Sequence, residues 1–147
     1  MFTTFESGQI TFEAFGTALL NFGNFGADFP DDNDIELGLF EKEDLDIALT
    51  EGFIFAMGID FDDRSGGSTP STFTVTVFAG DNPLASFQFE TEPLPDQNYI
   101  GVWSAATFNR LEIRESSAAN ENEFFGTVSI SEISLPGRLY TDRFEPR

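Results

Sequence analysis

Thr72-Phe73-Thr74-Val75-Thr76-Val77-Phe78-Ala79, then Gly80-Asp81-Asn82-Pro83, then Leu84-Ala85-Ser86-Phe87-Gln88-Phe89-Glu90-Thr91: this stretch decides the fold class. Phe73, Val75 and Val77 alternate with Thr74 and Thr76, the period-two pattern of a half-buried strand. Gly80 to Pro83 has the residues of a tight turn, and the returning segment Ala85–Thr91 is expected to carry Phe87 and Phe89 inward. The stretch therefore reads as an antiparallel hairpin.

The same period runs outward in both directions. In 52–62, Phe53, Phe55, Met57, Ile59 and Phe61 share one face by strict alternation, with Ile54, Ala56, Gly58, Asp60 and Asp62 on the other. Further alternating pieces are Ile35-Leu37-Leu39 and Leu45-Ile47-Leu49, separated by an acidic turn. Later come Tyr99–Ser104 with Ile100 and Val102, and Asn109–Glu115 with Leu111 and Ile113 inward. In Glu123–Ser131 the phase breaks between Phe125 and Val128 at Gly126, which predicts a bulge. The stretch before Asn33 is less regular, with glycines punctuating Phe-rich pieces. No segment has a helical repeat. Eight to ten short strands joined by Gly, Pro, Asp and Asn turns predict an all-β fold, an antiparallel β-sandwich of jelly-roll type. The expected organisation is one domain over residues 1–135 and an extended tail over 136–147 that contains Tyr140 and Phe144.

Composition narrows the chemistry. The 147 residues hold 26 acids, one Lys, six Arg, 19 Phe, and neither His nor Cys. Without His there is no imidazole-dependent nucleophile system, and without Cys no thiolate or disulfide. The net charge of −19 argues against nucleic acid, which needs a basic footprint, and against anionic membranes. Forty per cent hydrophobic and 15% aromatic content argue for a packed core rather than disorder. No segment has the length of apolar chain needed to span a bilayer. Divalent cations, cationic proteins and neutral glycans remain as partners. Residues 1–63 hold 15 of the acids and a single base, Lys42, so the charge is unevenly spread. Met1-Phe2-Thr3-Thr4 has neither the basic nor the apolar region of a signal peptide.

Carboxylates are the natural candidates for a site. Asp31, Asp32, Asp34 and Glu36 form the densest run, a spacing that offers calcium several oxygens from one loop. A solvated acidic loop explains the same run without metal. Asp60 and Asp62 lie on one face of their strand, roughly 7 Å apart by strand geometry, a spacing open to a shared cation or a glycosidase pair. Arg64 nearby offers an ordinary ion pair instead. Glu6 on the first strand and Glu132 after the last would meet if those strands were neighbours, and their repulsion would then call for a cation. Among the aromatics, Tyr99 and Trp103 share the face opposite Ile100 and Val102. Burial of Trp103 on the second face of a covered strand is the default expectation; stacking of a sugar ring on an exposed aromatic is the alternative.

The run from Ile35 to Leu135 resembles the sandwich ectodomains of bacterial PEP-CTERM and related choice-of-anchor surface proteins. The residues that carry the resemblance are Phe5-Glu6, the strand Phe55-Ala56-Met57-Gly58-Ile59-Asp60-Phe61-Asp62-Asp63, the hairpin segments Phe73–Phe78 and Leu84–Phe87, then Tyr99-Ile100-Gly101-Val102-Trp103-Ser104 and Phe108–Ile113. The resemblance implies an exported, non-catalytic jelly roll, extracellular or at the bacterial cell surface, related in shape to carbohydrate-binding modules. The family's Asp-Asn close of the last strand is replaced by Ser131-Glu132, and its Pro-Glu-Pro anchor motif does not occur in these residues. The expected function is a non-enzymatic surface or matrix domain that binds a glycan or a surface protein, with calcium as the expected cofactor. Two rivals remain: a self-associating filament, sheath or capsid-decorating subunit using its Phe-rich surfaces, and a carboxylate-only glycoside hydrolase.

Overall fold

In the computed structural model, residues 4–15, 19–23, 36–40, 44–64, 70–91, 98–116 and 122–133 are described. Among them eleven strands run in chain order: β1 (Thr4–Ser7), β2 (Ile10–Ala14), β3 (Leu19–Gly23), β4 (Glu36–Phe40), β5 (Leu45–Leu49), β6 (Ile54–Arg64), β7 (Thr72–Ala79), β8 (Asn82–Glu90), β9 (Asn98–Phe108), β10 (Arg110–Glu115) and β11 (Asn122–Ile130). They form two antiparallel sheets, ordered β1-β2-β5-β10-β7-β8 and β3-β4-β11-β6-β9. Only the connections β1–β2, β3–β4 and β7–β8 stay within one sheet; every other step of the chain crosses to the opposite sheet. The molecule is an antiparallel β-sandwich of jelly-roll type. The irregular N-terminal stretch contributes three strands, and the tail expected over 136–147 lies outside the described residues.

Alternation supplies the core. Ile47 and Val77 flank Leu111 in register, and Leu45 and Val75 flank Ile113, so β5, β10 and β7 present continuous apolar rows. Facing them are Ile54, Met57, Ile59, Ile100, Val102 and Phe108, all buried in one cluster. Such rows place each side chain against both its sheet neighbours and the opposite sheet, which is why period two suffices to specify the layer.

Register irregularities re-aim side chains. The bulge expected at Gly126 is present as a register shift between Phe125 and Val128. A second shift, between Ile54 and Ala56 against β9, breaks the strict alternation expected of β6. Ile54 is fully buried with Met57 and Ile59, while Phe55 is 42% exposed, the reverse of its expected placement. The kinked backbone is held by one hydroxyl: Ser131 Oγ accepts the N–H of Phe55 at 2.9 Å and of Ala56 at 3.3 Å. The face expected to be shared by Phe55, Met57 and Ile59 is therefore corrected at Phe55, because this bulge shifts the phase with no glycine to mark it.

The β7–β8 hairpin turns at Gly80, whose φ of +62° is open to glycine at little cost. Its N–H donates to Asn109 Oδ1 at 2.7 Å. At the open end the buried pair Ser71 and Thr91 closes the hairpin. Ser71 N–H donates to Thr91 Oγ1 at 2.8 Å, and Thr91 N–H donates to Ser71 O at 2.9 Å. Thr91→Val keeps the shape but removes the acceptor for a buried amide. The expected cost is about 1–3 kcal/mol, read as a lower denaturation midpoint at unchanged m-value.

β8 is the edge of its sheet and pairs only with β7. Phe89 reaches the core margin and stacks on Phe73 with centroids 5.6 Å apart, but Phe87 stays 37% exposed. The inward placement expected for Phe87 is thus only partly met, since among the described residues no strand lies beyond β8 to cover it.

On the outer face of the six-stranded sheet, Arg110, Glu112 and Arg114 of β10 meet Asp46 of β5. Arg114 contacts Asp46 at 2.5 Å and Glu112 at 3.5 Å, and Arg110 contacts Asp46 at 3.5 Å and also Glu112. The guanidinium groups of Arg110 and Arg114 also lie over the rings of Phe78 and Phe15. Two cations and two anions are matched here, at the centre of this face.

Candidate functional site

The outer face of the five-stranded sheet is built differently. Three strands supply it: β11 and β9 lie on either side of β6. Register sets Ser129 opposite Gly58 and Gly58 opposite Gly101, making one row of minimal side chains across the sheet. In the next row Ala56 stands opposite Trp103, and on the other side Asp60 stands opposite Tyr99. The small residues form the floor of a groove of about 520 Å³, bounded by Tyr99 and Trp103.

The two aromatics are held in place by ordinary strand geometry. Ile100 and Val102 point into the core, so Tyr99, Gly101 and Trp103 must point out. Trp103 is 76% exposed and Tyr99 67%. Burial of Trp103 on a second covered face, the default expectation, is overturned: nothing among the described residues packs over this side of the sheet. Four residues apart on one strand, their Cα atoms stand about 13 Å from each other.

The Tyr99 ring leans across the sheet onto the glycines. A methyl group placed on Gly58 would sit 2.0 Å from the Tyr99 hydroxyl oxygen and 2.8 Å from Cζ, and one on Gly101 would sit 3.1 Å from Cε1. A side chain at either glycine would therefore displace this ring, which leans over both and remains 67% exposed. Interior strand glycines are the sequence signal of such a close approach, and Gly58 and Gly101 carried it unread. Gly58→Ala is expected to tilt the ring off the floor while barely changing stability, because the clash is with the free end of a side chain. Tyr99 fluorescence and ligand titration on the same variant would register the displacement; an unmoved ring would refute it.

The carboxylate candidates scatter. Asp60 is half-buried on the groove side beside Tyr99, so two residues picked for unrelated reasons come together. Asp62 lies on β6 opposite Phe124 of β11, and Glu36 begins β4, but the side chains of both lie outside the described residues. Asp31, Asp32 and Asp34 lie outside them altogether. Glu6 and Glu132 are exposed, and the strand adjacency expected to bring them together is absent: β1 is the edge of the six-stranded sheet, whereas β11 is interior to the other. The chain crosses between sheets too often for its first and last strands to close a ring. Among the described residues no three acidic side chains gather to hold a metal ion. The described basic side chains, Arg110 and Arg114, are both committed to the opposite sheet. Among the described residues the groove therefore offers aromatic faces, hydroxyls and one carboxylate, and no cation to hold an anionic ligand.

No family model matches the chain, and no curated protein matches it. Solved structures do. The family 11 carbohydrate-binding module from Clostridium thermocellum, in complex with a beta-1,3-1,4-mixed-linked tetrasaccharide, aligns with a TM-score of 0.50 and 6% identity over 90% of this chain and 96% of that one. TmCBM61, in complex with beta-1,4-galactotriose, aligns at 0.49 and 9% identity over 80% and 89%. The enzymatically active domain of Bacteriophage CBA120 tailspike protein 4 aligns at 0.46 and 14% identity, over 83% of this chain but 19% of that one. At such identities the likeness to the family 11 module is one of fold.

Proposed function

We propose that this chain is a non-catalytic glycan-binding module that holds a neutral polysaccharide on the outer face of its five-stranded sheet. One observation carries the reading: the Tyr99 ring leans over Gly58 and Gly101 while staying largely exposed, and Trp103 stands exposed on the same strand. A sugar ring presents axial C–H groups to such a face, and the aromatic's negative π cloud attracts them. Asp60 and Ser129 supply acceptors for hydroxyl groups at the margin. The sandwich likeness to a module crystallised with a tetrasaccharide supports the same reading at the level of fold. Neutral glycans are favoured over uronates or sulfated chains because the protein carries a net −19 and the groove has no described cation to offset it.

This reading places the protein outside the cell or on a bacterial surface, in keeping with the PEP-CTERM resemblance. Calcium assistance would come from the acidic residues Asp31, Asp32, Asp34 and Glu36. Isothermal titration against paired neutral and uronate polysaccharides, with calcium and with EDTA, tests all parts. Saturable heat with a neutral chain, absent with its uronate counterpart, is expected; silence across the whole panel would sink the reading. Release of reducing ends during the titration would instead favour a hydrolase.

A self-assembling subunit is the second reading, supported by the unpaired edge of β8 with Leu84 exposed at 40%. Such an edge is open to strand addition. Light scattering over a concentration series would remove this reading if the protein stays monomeric.

A further inference from the structure

Beside the groove lies a second hollow, a cleft of about 420 Å³ where the edge strands β8 and β9 of the two sheets face each other. Its walls are apolar: Val77, Leu84, Ala85, Phe87 and Val102, with Trp103 at the rim. Ser104 brings the one hydroxyl. The cleft is open because of a local irregularity. Val77 pairs with Ala85 but Phe78 pairs with Pro83, so Leu84 is the extra residue of a bulge and is left without a partner across the ladder. Leu84 and Phe87 remain 40% and 37% exposed here, although Val77 and Val102 beneath them are buried. The volume falls in the range of small-molecule sites, which run from about 300 to 1,000 Å³.

The cleft and the groove are continuous. Gly101, Val102 and Trp103 line both, so one indole forms the wall between an aromatic sugar platform and an apolar slot. We propose that the slot between β8 and β9 receives an apolar substituent, an alkyl or acyl group, carried by the sugar that stacks on Trp103. This inference rests on the glycan reading, since the sugar brings the substituent to the rim. The occupant follows from the side chains on both sides of Trp103: ring faces and hydroxyl acceptors in the groove, and Val77, Leu84, Phe87 and Val102 in the slot, where polar surface comes from backbone and the Ser104 hydroxyl. An unsubstituted sugar would leave the exposed faces of Leu84 and Phe87 in water, whereas a short chain covers them. Each methylene buried is worth about fourfold in affinity.

The test is a chain-length series of methyl, butyl and hexyl β-D-glucopyranosides, followed by backbone amide shifts, with hexanol as the headless control. At least a tenfold gain from methyl to hexyl is expected, with shifts at Leu84 and Ala85 that grow along the series. The double variant Leu84→Ser/Phe87→Ser, at exposed positions, should lose that gain while keeping the methyl glucoside shifts at Tyr99 and Trp103. A flat series with Tyr99 and Trp103 still responding overturns the subsite and leaves the platform standing. Hexanol binding as tightly as hexyl glucoside overturns both, because the sugar then adds nothing. Absence of any shift with hexyl glucoside, or a gain untouched by the double variant, also overturns the proposal.

Discussion

Tyr99→Ala and Trp103→Ala are each expected to weaken glycan binding by roughly 30-fold, about 2 kcal/mol, the scale of an aromatic hot spot. Together they should bring binding below detection. In the proposed binding mode the rings meet ligand with surface that is already bare in the free protein, 67% and 76% exposed, so their loss removes no core packing. Far-UV circular dichroism and the unfolding midpoint should stay within about 0.5 kcal/mol of the parent, as for other surface substitutions. Trp103→Phe should recover part of the loss, since a smaller ring still offers a face. Wild-type affinity in the double variant would remove the platform from the mechanism altogether. Gly58→Ala provides the finer comparison, because it leaves both rings in the chain and changes only where one of them lies.

Phe73→Ala is expected to cost about 3–5 kcal/mol, a large share of the roughly 5–15 kcal/mol that holds a domain together. Phe73 is 1% exposed, stacks on Phe89, and lies in the apolar row of β7 between the two sheets. Its removal leaves a cavity that flanking strands, tied by ladder hydrogen bonds on both sides, are poorly placed to fill. Phe55→Ala is the matched control. By alternation Phe55 looks as internal as Phe73, yet the bulge against β9 turns it outward. Denaturant titration should find it costing under about 1 kcal/mol. Equal losses at the two positions would mean that the phase of β6 follows alternation after all.

Those two phenylalanines show where sequence reading works. For β7, β10 and β5 the alternation of large apolar and polar residues predicts both the strand and its inward face, because each is flanked on both sides by other strands and has one wet and one dry surface. For β6 and β8 it predicts the strand and misplaces a side chain, because a one-residue slip or a missing neighbour changes the environment without changing composition. The candidate site divides in the same way. Alternation set Tyr99 and Trp103 on one face, but whether that face was covered depended on the second layer. Asp60 was chosen for its pairing with Asp62 along the chain, and it is the cross-strand register with β9 that gives it Tyr99 as a neighbour. Glu6 and Glu132 were joined by an assumed strand order that the connections between sheets do not follow.

By itself, then, the sequence determined the all-β class, the sandwich core and the absence of imidazole and thiol chemistry, since these depend on residue type and on a period of two. Tertiary structure decided which aromatic side chains stay in water, which glycines a ring leans over, and which strands stand at the open edge. Those depend on register and strand order, contacts between residues distant in the chain, and a local pattern carries no record of them.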